Sequence, residues 1–175
     1  MKNLVIVLML ALCTSCLSFT DRPFRPVRDS IAAQMPEISL QKEMGLVMGG
    51  GLFDFLDVVT RNEADLSDVD HLQVAVYQVH PRGGYVNFTD ETFAASLQAK
   101  DSLLVWERIV KVKEDDEQVW VYVGLNIEEN MLEAVSVFVF QRDELVLINM
   151  DGDLSDMLKY AVSPAKGHRG VYTSG

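Results

Sequence analysis

The chain has 175 residues, with 15 Lys and Arg against 26 Asp and Glu, a formal charge of −11. So acidic a surface argues against nucleic acid, whose phosphates demand a basic face, and against lying flat on anionic lipid. The length suits one domain with a real core and not two comfortable ones.

The chain opens on one basic residue, Lys2, and then an uncharged apolar run, Leu4 to Leu12. That is the length of a signal-peptide core and too short to span a bilayer. Cys13-Thr14-Ser15-Cys16 follows and resembles the box read by lipoprotein signal peptidase. On this reading residues 1–15 are a cleaved leader, and Cys16 becomes the first mature residue and carries the acyl chains. Position −3 is Cys13 where Leu is usual, and Cys13 is itself a rival acceptor behind Leu12. Ser15 suits the −1 site better than Leu12, which favours Cys16. Ordinary cleavage after Ser15 is the alternative.

Cleavage there moves the formal charge to −12 and leaves no cysteine in the folded part, hence no disulfide and no thiol nucleophile. Leu17 follows the anchor where Asp would signal retention, so in a Gram-negative host the protein is expected on the periplasmic face of the outer membrane.

Residues 16–36 read as a lipid-anchored tether, with Pro23, Pro26 and Pro36 interrupting any regular element. Arg22, Arg25 and Arg28 make it the one locally basic stretch, either held at lipid head groups or simply solvated. A single α+β domain is expected over 37–162. Ile38, Leu40 and Met44 hint at a strand. Gly49-Gly50-Gly51 break the chain, and Leu52, Phe55, Leu56 and Val59 then fall on one helical stripe. A polar loop over 62–70 leads into His71 to Val79, apolar on both faces and so a central strand. Thr89 caps a helix that carries Phe93 and Leu97 inward and stops near Lys100.

From Leu103 the period changes to two. Four apolar runs are separated by short polar turns at Glu114–Glu117, Glu128–Asn130 and Arg142–Glu144, which predicts an antiparallel meander. Asp153 can cap a final helix burying Leu154, Met157, Leu158 and Ala161, and residues 163–175 read as a flexible tail. The fold class is therefore α+β, a mainly antiparallel sheet of four meander strands plus one or two more, with helices packed on one face.

Trp106-Glu107-Arg108-Ile109-Val110-Lys111-Val112, Val119-Trp120-Val121-Tyr122 and Glu144-Leu145-Val146-Leu147-Ile148-Asn149-Met150-Asp151-Gly152-Asp153-Leu154 together resemble the bacterial envelope proteins grouped as domain of unknown function 4252. The resemblance covers about Glu37 to Ala161. It implies a small exported protein or lipoprotein with this domain, and it brings no catalytic residue with it.

The candidate sites are weighed against plain structural roles. Asp151-Gly152-Asp153-Leu154-Ser155-Asp156 resembles the start of a calcium loop, but Asp156 stands where the EF-hand needs Gly and Val162 where it needs Glu. A turn and helix cap explain the same residues. Asp65, Asp68, Asp70 and His71 cluster at the mouth of the central strand and could hold zinc or form an acid–base pair. His80 is more than about 20 Å away along that strand and His168 lies in the tail, so the ligand count is low. Gly49-Gly50-Gly51 lacks the spacing of a phosphate loop. Trp106, Trp120 and Tyr122, with Phe138, could line an apolar ligand groove or simply pair across strands. Asn87-Phe88-Thr89 matches a glycosylation sequon by pattern only.

No metal or cofactor is called for, and no nucleophile elbow occurs. The leading expectation is a non-catalytic, membrane-anchored protein-binding or envelope-assembly module whose partner the sequence does not name. The alternatives are a binder of a small apolar or lipidic ligand and an enzyme using Asp70 and His71. The last requires a cleft at those two residues.

Overall fold

A computed structural model describes residues 17–49, 68–83 and 86–155. The leader, Cys16, Gly50 and Gly51, the helix expected over Leu52 to Val59, Asp65, the final helix past Ser155 and the tail with His168 lie outside the described residues.

The described chain forms β1 (Leu17–Ser18), a 3-10 turn (Arg22–Phe24), α1 (Arg25–Gln34), β2 (Ile38–Gly49), β3 (Val69–Pro81), α2 (Asp90–Lys100), β4 (Val105–Glu114), β5 (Glu117–Asn126), β6 (Met131–Gln141) and β7 (Glu144–Gly152). The strands form one sheet in the order β1-β2-β3-β7-β6-β5-β4. Every neighbouring pair is antiparallel. The predicted meander is β4 to β7. Three further strands extend it, rather than one or two. β3 has a partner on each side, as its apolar faces require.

The reading of residues 16–36 as a tether is corrected. Leu17 and Ser18 pair with Met48 and Val47 at the sheet edge, and Arg25–Gln34 is a helix. Pro26 sits in its first turn, where the missing N–H has no intrahelical partner to lose and the fixed φ suits a helix start. Phe24, Val27, Ile31 and Met35 recur at helical spacing and are all buried. Arg28 spends its charge on Asp29 at 2.7 Å and Asp21 at 3.6 Å.

Both helices cover the same face of the sheet. Their buried residues join Ala75, Tyr77, Trp120, Phe138, Leu145 and Leu147 in the main core. α2 forms where predicted, with the Thr92 amide donating to the Thr89 hydroxyl at 3.3 Å as its N-cap. Phe93 lies centrally, 4.2 Å from the Phe138 ring and 4.7 Å from Trp120. The opposite face carries half-buried Val74, Val76, Val137, Val139, Val146 and Ile148. At one end of that face Val69, Val123, Leu132 and Leu154 make a second small cluster.

Candidate functional site

One end of the sheet, where β2 and β7 finish and β3, β4 and β6 begin, carries a concentration of polar side chains on the helix-covered face. The antiparallel register sets His71 beside Asp151 and Gln73 beside Asn149. On the next strand Ser136 stands beside Asn149 and Ala134 beside Asp151. Alternation then turns Gln73, Ser136, Asn149 and Asp151 toward the core side.

These groups satisfy one another. Asn149 Oδ1 accepts from the Ser136 hydroxyl at 2.5 Å, and Asn149 Nδ2 donates to Asp151 Oδ1 at 3.3 Å. Gln73 Nε2 donates to the same Asp151 oxygen at 3.2 Å. Asp151 Oδ2 lies 3.2 Å from His71 Nδ1. One atom is left out: Gln73 Oε1 is buried and has no donor. A buried acceptor without a donor bears its full desolvation cost.

Next to this network opens a cleft of about 420 Å³. Asp70 from β3, Glu133 from β6, and Asp151 and Asp153 at the end of β7 line it. Lys100 and Asp101 approach from the end of α2, and Trp106 comes from β4. The Trp106 indole N–H donates to the Asp101 carbonyl at 3.2 Å, which fixes the ring. Gly124 makes room for it, because a Cβ there would stand 3.1 Å from the Trp106 ring and 2.9 Å from Leu104.

Charge in the cleft is unbalanced. Among the described residues five carboxylates line it, and Lys100 is the only Lys or Arg. Four of the carboxylates take hydrogen bonds from neutral donors, Asp151 from Gln73 and Asn149 as above. Glu133 accepts from Asn126, Asp101 from the Leu103 amide and Asp153 from the Ser155 amide. Burial raises the Asp151 carboxyl above its ordinary range, while Lys100 and His71 pull it back. Burial likewise lowers the Lys100 amine, against the pull of Asp151 and Asp101. No described carboxylate comes within ion-pair distance of the Lys100 amine.

The structure thus brings together Asp70, His71, Asp151 and Asp153, which sequence reasoning held as two separate groups. His71 is neither buried against apolar neighbours nor alone: it is half exposed and paired with Asp151. His80 stands apart and contacts Gln41. Among the described residues no group of three or more His, Cys, Asp or Glu side chains is placed to hold a metal ion. Trp120, Tyr122 and Phe138 do not line a groove. They are core, with the Trp120 indole on the Asp90 carboxylate and the Tyr122 hydroxyl on the Asp90 carbonyl. Trp106 alone of the suggested aromatics faces the cleft.

Sequence reasoning missed Lys100, Glu133, Gln73 and Asn149. The signal for Gln73 and Asn149 was present, as polar residues at core-side positions of otherwise apolar strands.

No family model, no curated protein and no solved structure matches this chain.

Proposed function

We propose that the chain is an exported, lipid-anchored protein of the cell envelope that binds a ligand or partner without turning it over. The leader-like run Leu4 to Leu12 followed by Cys13-Thr14-Ser15-Cys16 supports export and acylation at Cys16. The resemblance to envelope proteins of the unknown-function family 4252 points the same way. Leu17 after the anchor favours the outer membrane in a Gram-negative host.

The observation that carries the binding half is the cleft. Its walls include carboxylates, of which Asp101, Glu133, Asp151 and Asp153 are held by neutral hydrogen-bond donors, an arrangement suited to recognising charge in a bound group. A reading as an acid–base enzyme would use the Asp151–His71 pair.

The test is the intact mass and fractionation of the membrane-extracted protein beside Cys16→Ser. The expected result is a chain starting at Cys16 with added acyl mass, and release of the variant from the membrane. An unlipidated, soluble wild type would refute the anchor.

A further inference from the structure

β3 and β7 each have a strand on both sides, yet their two faces differ in burial. On the helix side Ala75, Tyr77, Leu145 and Leu147 are at most 1% exposed. Their neighbours on the other side, Val74, Val76, Val146 and Ile148, stay half-buried. An interior strand has no open edge, so the difference belongs to the face. α1 and α2 both lie on the helix side. Among the described residues only the small cluster around Leu154 reaches the other side, at the end beyond Met48 and Val123.

Directly opposed residues share a face, so the strand registers lay this one out row by row. Leu46, Val74, Ile148, Val137, Val121 and Val110 stand side by side from β2 to β4. The rows on either side run from Met48 to Val123 and from Met44 to Val112, and every residue in them is apolar too. Charge and amide groups appear only at the rim, with Glu107 next after Val123 and with Gln78, Glu144 and Gln141 beyond the Met44 row. Six strands about 4.8 Å apart and three rows about 7 Å apart give a footprint of about 600 Å². That is the upper limit of the largest patch on an ordinary monomer.

We propose that this face is the contact between two copies of the chain, packed sheet on sheet about a two-fold axis. Two such footprints bury about 1,200 Å², the size at which stable association begins. A centre without charge inside a polar rim is the composition of an interface core. The valines that dominate the rows are stiff and lose little rotamer freedom when covered. A bilayer fits less well, because the rim offers no cation to lipid phosphates and the chain carries a charge of −11. With the axis along the strands, both chains enter their sheets at the same end, which suits two anchors in one membrane. The contact itself does not depend on acylation.

The test is sedimentation equilibrium of the full chain carrying Cys16→Ser, in detergent-free buffer at about 1–100 µM. The expected result is a concentration-dependent mass that reaches twice that of one chain. Ile148→Lys, in the middle row, should leave only monomer. Val137→Thr, beside it, keeps the branched shape and replaces a methyl by a hydroxyl on each copy, so the dissociation constant should rise about tenfold. A thermal melt of each variant reports its folding. Ile109→Lys, at the β4 bulge on the sheet edge, is the control and should still dimerise. Added salt should tighten the pair, because it screens the repulsion between two acidic copies.

A monomer at the highest concentration overturns the proposal. Flotation of that monomer with phosphatidylcholine vesicles would assign the face to lipid, and its absence to residues 50–67, residues 156–175 or a different protein. A dimer that survives Ile148→Lys and Val137→Thr, or one that Ile109→Lys abolishes, makes its contact elsewhere and overturns the proposal as well. Neither result bears on acylation at Cys16, which the mass measurement decides separately.

Discussion

The Tyr77 hydroxyl donates to the Asp21 carboxylate at 3.1 Å, and both residues are buried. The bond ties the turn before α1 to an interior strand of the sheet. Arg28 and Lys42 stand 3.6 Å from the same carboxylate. Tyr77→Phe removes the hydroxyl but leaves Asp21 with both cations, so a loss of about 1–2 kcal/mol is expected. Asp21→Ala strands the buried hydroxyl and both cations, and should cost more, about 2–3 kcal/mol. Urea unfolding at constant m-value measures both. Equal stability of Tyr77→Phe and wild type would mean that the bond contributes nothing net.

The same pair predicts an alkaline limit. Burial, then the Asp21 charge, pushes the Tyr77 phenol well above its ordinary value. A group whose folded value is raised contributes stability that is complete below its unfolded value and is lost as pH rises through the folded one. Stability should therefore fall from about pH 10 upward, with a slope of about 1.4 kcal/mol per pH unit for each such group. Burial raises Tyr122 as well, so both tyrosines contribute to the fall. The difference between wild-type and Tyr77→Phe profiles isolates Tyr77. Parallel profiles above pH 10 would contradict its raised value.

The cleft charges should behave in the opposite way to ordinary stabilising pairs. The Asp151 carboxyl is raised, so the stability it contributes is present below its unfolded value and lost as pH rises through the folded one. Lys100 is lowered, so its contribution is present above its unfolded value and lost as pH falls through the folded one. Burial therefore works against the charged form of both groups. Asp151→Asn keeps an oxygen for Gln73 and Asn149 and sheds the charge. It should unfold at or slightly above the wild-type temperature, with a gain below about 1 kcal/mol because the side chain is partly solvated. A calorimetric loss above that size would show that the charge itself holds the network together.

The meander was legible because each hairpin is local: alternation runs from Trp106 to Met150, interrupted by the polar turns and by irregularities at Arg108–Val110 and Gly124–Leu125. α2 was legible because Thr89, Asp90 and Glu91 signal its start. α1 was not, because its apolar spacing at Phe24, Val27, Ile31 and Met35 sits among prolines that read as breakers. Pro26 in fact starts the helix. The cleft was illegible for a different reason. His71 and Asp151 are 80 positions apart, and only the β3–β7 register puts them side by side. Neither His71 nor Asp151 carries local information about the other.

Two glycines with positive φ separate backbone strain from collision. Gly83 has φ of 150° with open space around it, whereas Gly152 has φ of 147° and lies against β3. A Cβ on Gly152 would run into the Asp68 carbonyl oxygen and stand 2.8 Å from the Asp70 amide. Gly83→Ala should cost about 1 kcal/mol from strain alone. Gly152→Ala should cost about 2–3 kcal/mol and also shift the cleft wall between Asp151 and Asp153. Denaturation of the two variants side by side measures the difference. Equal losses would mean that β3 yields easily at Asp68.

Phe93 should be the most sensitive position in α2. That helix has only two large apolar residues fully inside, Phe93 and Leu97, beside buried Thr92 and Ser96. Phe93 stacks on Phe138 and meets Trp120 edge-on, with Phe88 5.3 Å away on its other side. Truncation to Ala removes the ring from a site closed on all these sides, at about 3–5 kcal/mol. Phe93→Leu keeps most of the volume and should cost roughly half as much. The cleft then supplies a second readout, because α2 places Lys100 and Asp101 on its wall. If Phe93 sets the seating of the helix, Phe93→Leu should speed amide hydrogen exchange at Lys100 and Asp101 while the chain remains folded. Unchanged exchange there at reduced stability would instead assign the placement of Lys100 to the contacts at the end of α2, where the Asp101 carbonyl receives the Trp106 indole.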